Sequence, residues 1–265
     1  MKVISSFLVS SLLFLTTTFA QSPYKTSWEK DGIILGSNLA VAFLGSSLEN
    51  KITPLSVQKI DALSRNKVNA FDRSATYNWS KNISSVSDVC VIMTALSPVS
   101  LFLDKEIRED FQTVSTMYLE TMLLAAFLPS IAKGSAERIR PFVYNENAPL
   151  NDKLDVEAKK SFFSGHTTVA FASAVFLSTV YEGYFPDSKY KNYVWAGSLF
   201  TASLTGFLRY ESGAHFPTDV LIGAVVGSAV GYLIPYLHNT NSSESDVYPS
   251  INNTNGITLH YVFQF

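Results

Sequence analysis

Three short blocks of this chain hold the residues able to do chemistry on an anion. The first is KGSAERIRP, Lys133 to Pro141. Lys133 and Arg140 are seven apart, a spacing that on a helix returns to nearly the same face after two turns, and Pro141 then stops or redirects the chain. A guanidinium fork suits phosphate oxygens and an ammonium adds a point charge. The second block, Ser164-Gly165-His166, heads a long apolar run. The first amides of a helix lack internal partners and favour an anion, Gly permits close approach, and a Ser hydroxyl can donate. The third is LRYESGAHFPTDV, residues 208–220, with Arg209, His215 and Asp219. His-x-x-x-Asp lets a carboxylate accept from one imidazole nitrogen, leaving the other as an unprotonated nucleophile. Each block also has a plainer reading: a solvated basic helix end, an N-cap at Ser164, an N-cap at Asp219.

Taken together the blocks hold three cations, two histidines, a carboxylate and a Ser-Gly at a helix start. Phosphoryl transfer needs that inventory: donors for the equatorial oxygens, an in-line nucleophile and an acid for the leaving oxygen. The cations make a metal unnecessary for charge stabilisation, and no Cys/His or His/carboxylate cluster has zinc spacing along the chain.

The order and spacing resemble the type 2 phosphatidic acid phosphatase superfamily, which also includes bacterial non-specific acid phosphatases and vanadium haloperoxidases. Its signature of Lys-x6-Arg-Pro, Pro-Ser-Gly-His and Ser-Arg-x5-His-x3-Asp is matched by Lys133 with Arg140-Pro141, by Ser164-Gly165-His166, and by Arg209, His215 and Asp219. Phe163 stands where that pattern has Pro, and Leu208 where it has Ser. The resemblance implies a phosphohistidine on His215, oriented by Asp219, with His166 protonating the leaving alcohol and later activating water. It implies phosphate binding by Lys133, Arg140, Ser164, Gly165 and Arg209. The two histidines are then expected to titrate as a coupled pair around the reference value of about 6.5.

The activity so implied is that of a metal-independent phosphatase with no cofactor. Its substrate would be a phosphorylated small molecule or a lipid phosphate such as phosphatidate or an isoprenyl diphosphate. A vanadium-dependent haloperoxidase is the alternative, since vanadate mimics the phosphoryl transition state; in a phosphatase the same ion would inhibit. A catalytically silent envelope or lipid-binding protein is a third reading.

Six apolar stretches, at 32–48, 89–103, 114–132, 166–181, 193–208 and 220–237, must position these groups. Their lengths and small-residue content suit helices. The expected fold is all-α: a single helical-bundle domain over residues 21–238 with about six core helices, followed by a polar tail, 239–265, ending in the strand-like ITLHYVFQF. The connectors 49–83 and 142–162 are the expected walls of the substrate pocket.

A net charge of -2 argues against nucleic acid as a partner, so any anion must be held by a local cluster. With one cysteine, Cys90, no intramolecular disulfide can form. Residues 1–20 have the layout of a signal peptide, so the chain is expected to be exported to a periplasm or cell envelope. Membrane association stays open, but charges such as Glu120 inside the apolar stretches favour a soluble domain, because they are costly in hydrocarbon.

Overall fold

Helix starts in this chain are written in small polar residues. Ser27, Ser80 and Ser164 each turn a side-chain oxygen onto a first-turn amide, of Lys30, Ile83 and Thr167 respectively. The last long helix instead starts at Pro217, whose missing N–H costs nothing in a first turn, and Asp219 reaches back to accept from the Phe216 amide at 2.9 Å.

The computed structural model describes residues 22–240, 247–251 and 257–261. Within these the helices are α1 (Trp28–Glu49), α2 (Val57–Asp61), α3 (Lys81–Leu96), α4 (Lys105–Glu109), α5 (Phe111–Ala136), α6 (Leu150–Lys153), α7 (Gly165–Tyr184), α8 (Lys191–Glu211) and α9 (Pro217–His238). The six long ones coincide with the six apolar stretches, so the all-α expectation holds. The tail forms an antiparallel hairpin of β1 (Val247–Ile251) and β2 (Ile257–Tyr261), with Val247 opposite Tyr261. The segment expected to be a signal peptide lies outside the described residues.

Specific contacts fix the helix directions. Asn38 on α1 donates to the Glu120 carbonyl on α5 at 3.0 Å, and Gly45 faces Ser130, so these two helices run parallel. The pair α7 and α9 is also parallel, and it is held close by a stripe of small residues. Gly223, Gly227 and Gly231 sit against the backbone carbonyls of Ser164, Thr168 and Ala172, and a Cβ at Gly223 would lie only 2.7 Å from the first of them. By contrast α5 is antiparallel to α7, since Gly165 lies beside Pro129 and Lys133 while Tyr118 Oη meets Ser173 Oγ at 3.0 Å. At one end of the bundle, therefore, the C-termini of α1, α5 and α8 meet the N-termini of α3, α7 and α9. At the other, Tyr24 pairs with Asn239. Helix α7 is the central element, and the main apolar core around Ile107, Met117, Phe176 and Val180 packs on its C-terminal half.

The expectation that the domain is soluble is overturned. Among the described residues four helical segments, Trp28–Glu49, Lys81–Leu103, Phe111–Ala136 and Pro217–His238, are long and apolar enough to cross a membrane. They present large apolar side chains outward, among them Phe43, Ile92, Leu119, Leu221 and Val225. An apolar surface of that extent belongs in lipid. The chain is an integral membrane protein. The charges that argued otherwise do not meet hydrocarbon: Glu120 is wholly buried between helices and Asp31 lies in the first turn of α1.

Candidate active site

The first block reaches the site by a route other than a continuous helix. Helix α5 ends at Ala136, where Glu137 takes a left-handed conformation (φ 43°) and its N–H closes on the Lys133 carbonyl. Residues 138–140 then leave the helix, and Arg140 is extended (φ -70°, ψ 151°) ahead of Pro141. Lys133, on the last helical turn, places its Nζ at the start of α7, 3.6 Å from where a Gly165 Cβ would stand. Arg138 and Arg140 take different partners: Arg138 binds Asp72 and Asp219, while Arg140 Nη2 donates to Glu157 at 3.2 Å. The Nε–H groups of Arg140 and Arg209 are buried without an acceptor among the described residues. Two guanidinium donors thus face inward unspent, as an anion site requires.

Ser164 is fully buried and its Oγ accepts from the Thr167 amide and from Thr167 Oγ1 at 2.9 Å. It is an N-cap, and its own hydroxyl hydrogen has no acceptor among the described residues. Its amide donates to the Asp219 carbonyl at 3.1 Å, which ties the start of α7 to the first turn of α9. The amides of Gly165 and His166 fall in the first turn, where a helix supplies no acceptor.

His215 lies in the short turn between α8 and α9, only 2% exposed. Gly213, at φ 74° and packed against the Asn78 carbonyl, makes that turn possible. The His215 Nδ1 lies 2.7 Å from the Ser161 carbonyl, which can only accept, so Nδ1 carries the hydrogen and Nε2 the lone pair. Burial holds this imidazole well below its ordinary pKa, and Arg140, Arg209, Lys133 and His166 add to the effect in that order. These four predicted groups are thus close enough to act on His215. His215 is therefore neutral at physiological pH, as a nitrogen nucleophile must be.

Asp219 departs from its expected place. It stands 3.8 Å from His215 Nδ1 and does not hydrogen-bond to it. One carboxylate oxygen instead accepts from Ser161 Oγ at 2.5 Å and the Phe216 amide, while the other accepts from Arg138 at 2.5 Å. Orientation thus reaches His215 through residue 161, whose hydroxyl binds Asp219 and whose carbonyl binds the imidazole. Arg138 in turn bridges Asp219 to the buried Asp72, which also accepts from Thr218. The sequence reading missed Arg138, Asp72 and Ser161. The first had a signal, as a third cation in the first block; the other two lie in connectors with no pattern around them.

His166 Nε2 meets Asp88 Oδ1 at 2.9 Å, and Arg209 reaches the same oxygen at 3.2 Å and Ser84 at 3.1 Å. Asp88, on α3, was also missed; a lone acid at the head of an apolar stretch was its only mark. Burial and then Arg209 lower the His166 pKa, with Asp88 opposing them. Both imidazoles therefore titrate below the value of about 6.5 expected from sequence. A cleft of about 620 Å³, lined by none of these site residues, is walled by Ser64, Arg65 and Tyr77 from one connector and Tyr144 and Lys153 from the other.

Residues 115–243 match the family model described as the PAP2 superfamily. Over 93 residues the chain is 30% identical to the probable diacylglycerol pyrophosphate phosphatase 1 of Schizosaccharomyces pombe, covering 33% of this chain and 33% of that protein. It is 27% identical over 149 residues to the lipid A 4'-phosphatase of Porphyromonas gingivalis, covering 54% and 58%. The chain thus spans from a third to under two thirds of the length of these curated relatives. The crystal structure of the transmembrane PAP2 type phosphatidylglycerolphosphate phosphatase from Bacillus subtilis superposes with a TM-score of 0.46 and 23% identity, over 76% of this chain and 94% of that one. The matched segment, just under half of the chain, contains all three blocks in order and is where this chain is similar to the PAP2 superfamily.

Proposed function

We propose that this protein is an integral-membrane phosphatase that hydrolyses lipid phosphate monoesters or diphosphates through a phosphohistidine. The observation that carries the reading is the His215 Nε2 lone pair, buried and neutral amid Lys133, Arg140 and Arg209. In the first step Nε2 attacks phosphorus as the phosphorus–oxygen bond to the leaving group breaks, and His166, kept protonated by Asp88 and by the negative charge of the bound phosphate, gives its proton to the departing oxygen. In the second, His166 takes a proton from water, the hydroxide displaces His215 from phosphorus, and inorganic phosphate leaves. The three cations, the Ser164 hydroxyl and the Gly165 amide carry the charge on the equatorial oxygens throughout. Two things support a lipid substrate: the apolar outer faces of the bundle, and relatives whose names specify amphiphilic phosphates.

The test is phosphate release by the purified protein in detergent, from phosphatidate, an isoprenyl diphosphate and a short soluble ester, for wild type and His215→Ala. Lipid phosphates are expected to be preferred, and an acid-labile, alkali-stable phosphoenzyme is expected on rapid quenching. Undiminished turnover by His215→Ala would sink the reading.

A further inference from the structure

A second polar cluster lies at the opposite end of the bundle, and the phosphatase chemistry does not use it. Asp31 in the first turn of α1, Glu120 on α5 and His238 in the last turn of α9 bring one ligand atom each to within 4.8 Å of one another. Lys133 is 13 residues beyond Glu120 and Asp219 is 19 before His238. At the rise of an α-helix the cluster is roughly 20–28 Å from the phosphate end. It therefore owes nothing to that site.

We propose that Asp31, Glu120 and His238 form a structural site for a divalent transition-metal ion, of the class of Zn²⁺. Three independent observations carry this. First, the Glu120 side chain is 0% exposed, and neither of its carboxylate oxygens has a hydrogen-bond partner among the described residues. A buried carboxylate without donors is costly, and a cation is the partner that relieves it. The neighbouring cation on α1, Lys30, is committed to the Leu237 carbonyl at 2.6 Å.

Second, the histidine is presented as metal-binding histidines are. His238 Nδ1 donates to the Ile234 carbonyl at 2.8 Å, so in the neutral ring the Nε2 lone pair faces the two carboxylates, with Asp31 Oδ1 at hydrogen-bond distance. Such a carbonyl bond to the far nitrogen is the usual outer support of a metal-bound imidazole. A lone pair opposite two anions is repulsive unless a positive charge stands between them. Third, the spacing fits. Nε2 lies 3.1 Å from Asp31 Oδ1 and 3.5 Å from Glu120 Oε2. Ligands bound at about 2.0–2.1 Å around a tetrahedral Zn²⁺ stand about 3.3–3.4 Å apart. One nitrogen and two oxygens leave the fourth position to water, and the ion would tie together the three helices that meet at this end.

The experiment uses the full chain without a polyhistidine tag, purified in detergent and stripped with chelator. Titration with Zn²⁺ is expected to show about one tight site per chain, and Glu120→Gln and His238→Ala to retain less than about a tenth of that occupancy. Co²⁺ loading is expected to give a ligand-field absorption in wild type that both variants lack, and Zn²⁺ to raise the Tm of wild type alone. No stoichiometric binding, or equal binding by both variants, overturns the proposal, the cluster then being an imidazolium with two carboxylates. Glu120→Gln preserves shape; should both variants fail to fold, the wild-type titration decides by itself.

Discussion

The two ends of this bundle solve opposite electrostatic problems with the same helices. Helix α5 carries Lys133 at one end and Glu120 towards the other, and α9 carries Asp219 and His238. At the phosphate end donors are in excess: Lys133, Arg140 and Arg209 crowd a neutral His215, and two buried Arg Nε–H groups have no acceptor among the described residues. At the far end negative charge is in excess, with Asp31 and Glu120 around one imidazole. An excess of buried donors calls for an anion, and an excess of buried acceptors calls for a cation. Polar groups inside a membrane bundle are therefore most informative where they fail to balance.

The sharpest way to test this contrast is at His215. His215→Ala is expected to lower lipid phosphate hydrolysis by at least about 10³-fold with the fold retained, because it removes the atom that bonds phosphorus. Turnover assays together with a thermal melt in the same detergent check both halves. Next is Arg138, which neutralises two carboxylates that are themselves 0% exposed. Arg138→Met leaves Asp72 and Asp219 as uncompensated buried charges and is expected to cost about 3–5 kcal/mol of stability. Denaturant or thermal unfolding measures this, and a loss confined to activity would show that the pair is not structural.

A smaller effect is expected at Asp88, which holds the proton on His166 against burial and Arg209. A lowered pKa means that the acid form disappears as pH rises through a lower value. Asp88→Asn lowers that value further, so the alkaline limb of kcat/KM moves to more acid pH, and the rate at neutral pH falls by about three- to tenfold. A pH–rate profile decides, and a shift to higher pH contradicts the assignment. The smallest effect is expected from the far end: Glu120→Gln is predicted to leave hydrolysis within about twofold of wild type, the two sites being far apart along the helices. A large loss of turnover there would break the separation on which the comparison rests.

Much of the phosphate site was legible beforehand because its residues come in short gapped blocks, and local spacing survives folding. The details that failed did so for local or directional reasons. Lys133 and Arg140 were expected on one helix face, yet Glu137 takes a left-handed turn and ends the helix between them. Asp219 was expected to hold His215 directly, but Ser161 intervenes, bonding one partner through its hydroxyl and the other through its carbonyl. The soluble reading counted Glu120 as a cost in lipid, and a count of charges does not say which way each one faces.

The sequence by itself determined six apolar helices and the order of three motifs, both of which depend on residues near one another along the chain. Only the tertiary structure decided that Asp72, Asp88, Arg138 and Ser161 support the histidines, and that residues 31, 120 and 238 meet. The physical reason is that those contacts depend on helix direction and close approach. Glycines such as Gly223, Gly227 and Gly231 set that approach by letting α9 lie on the carbonyls of α7, and no spacing along a single helix encodes what lies across it.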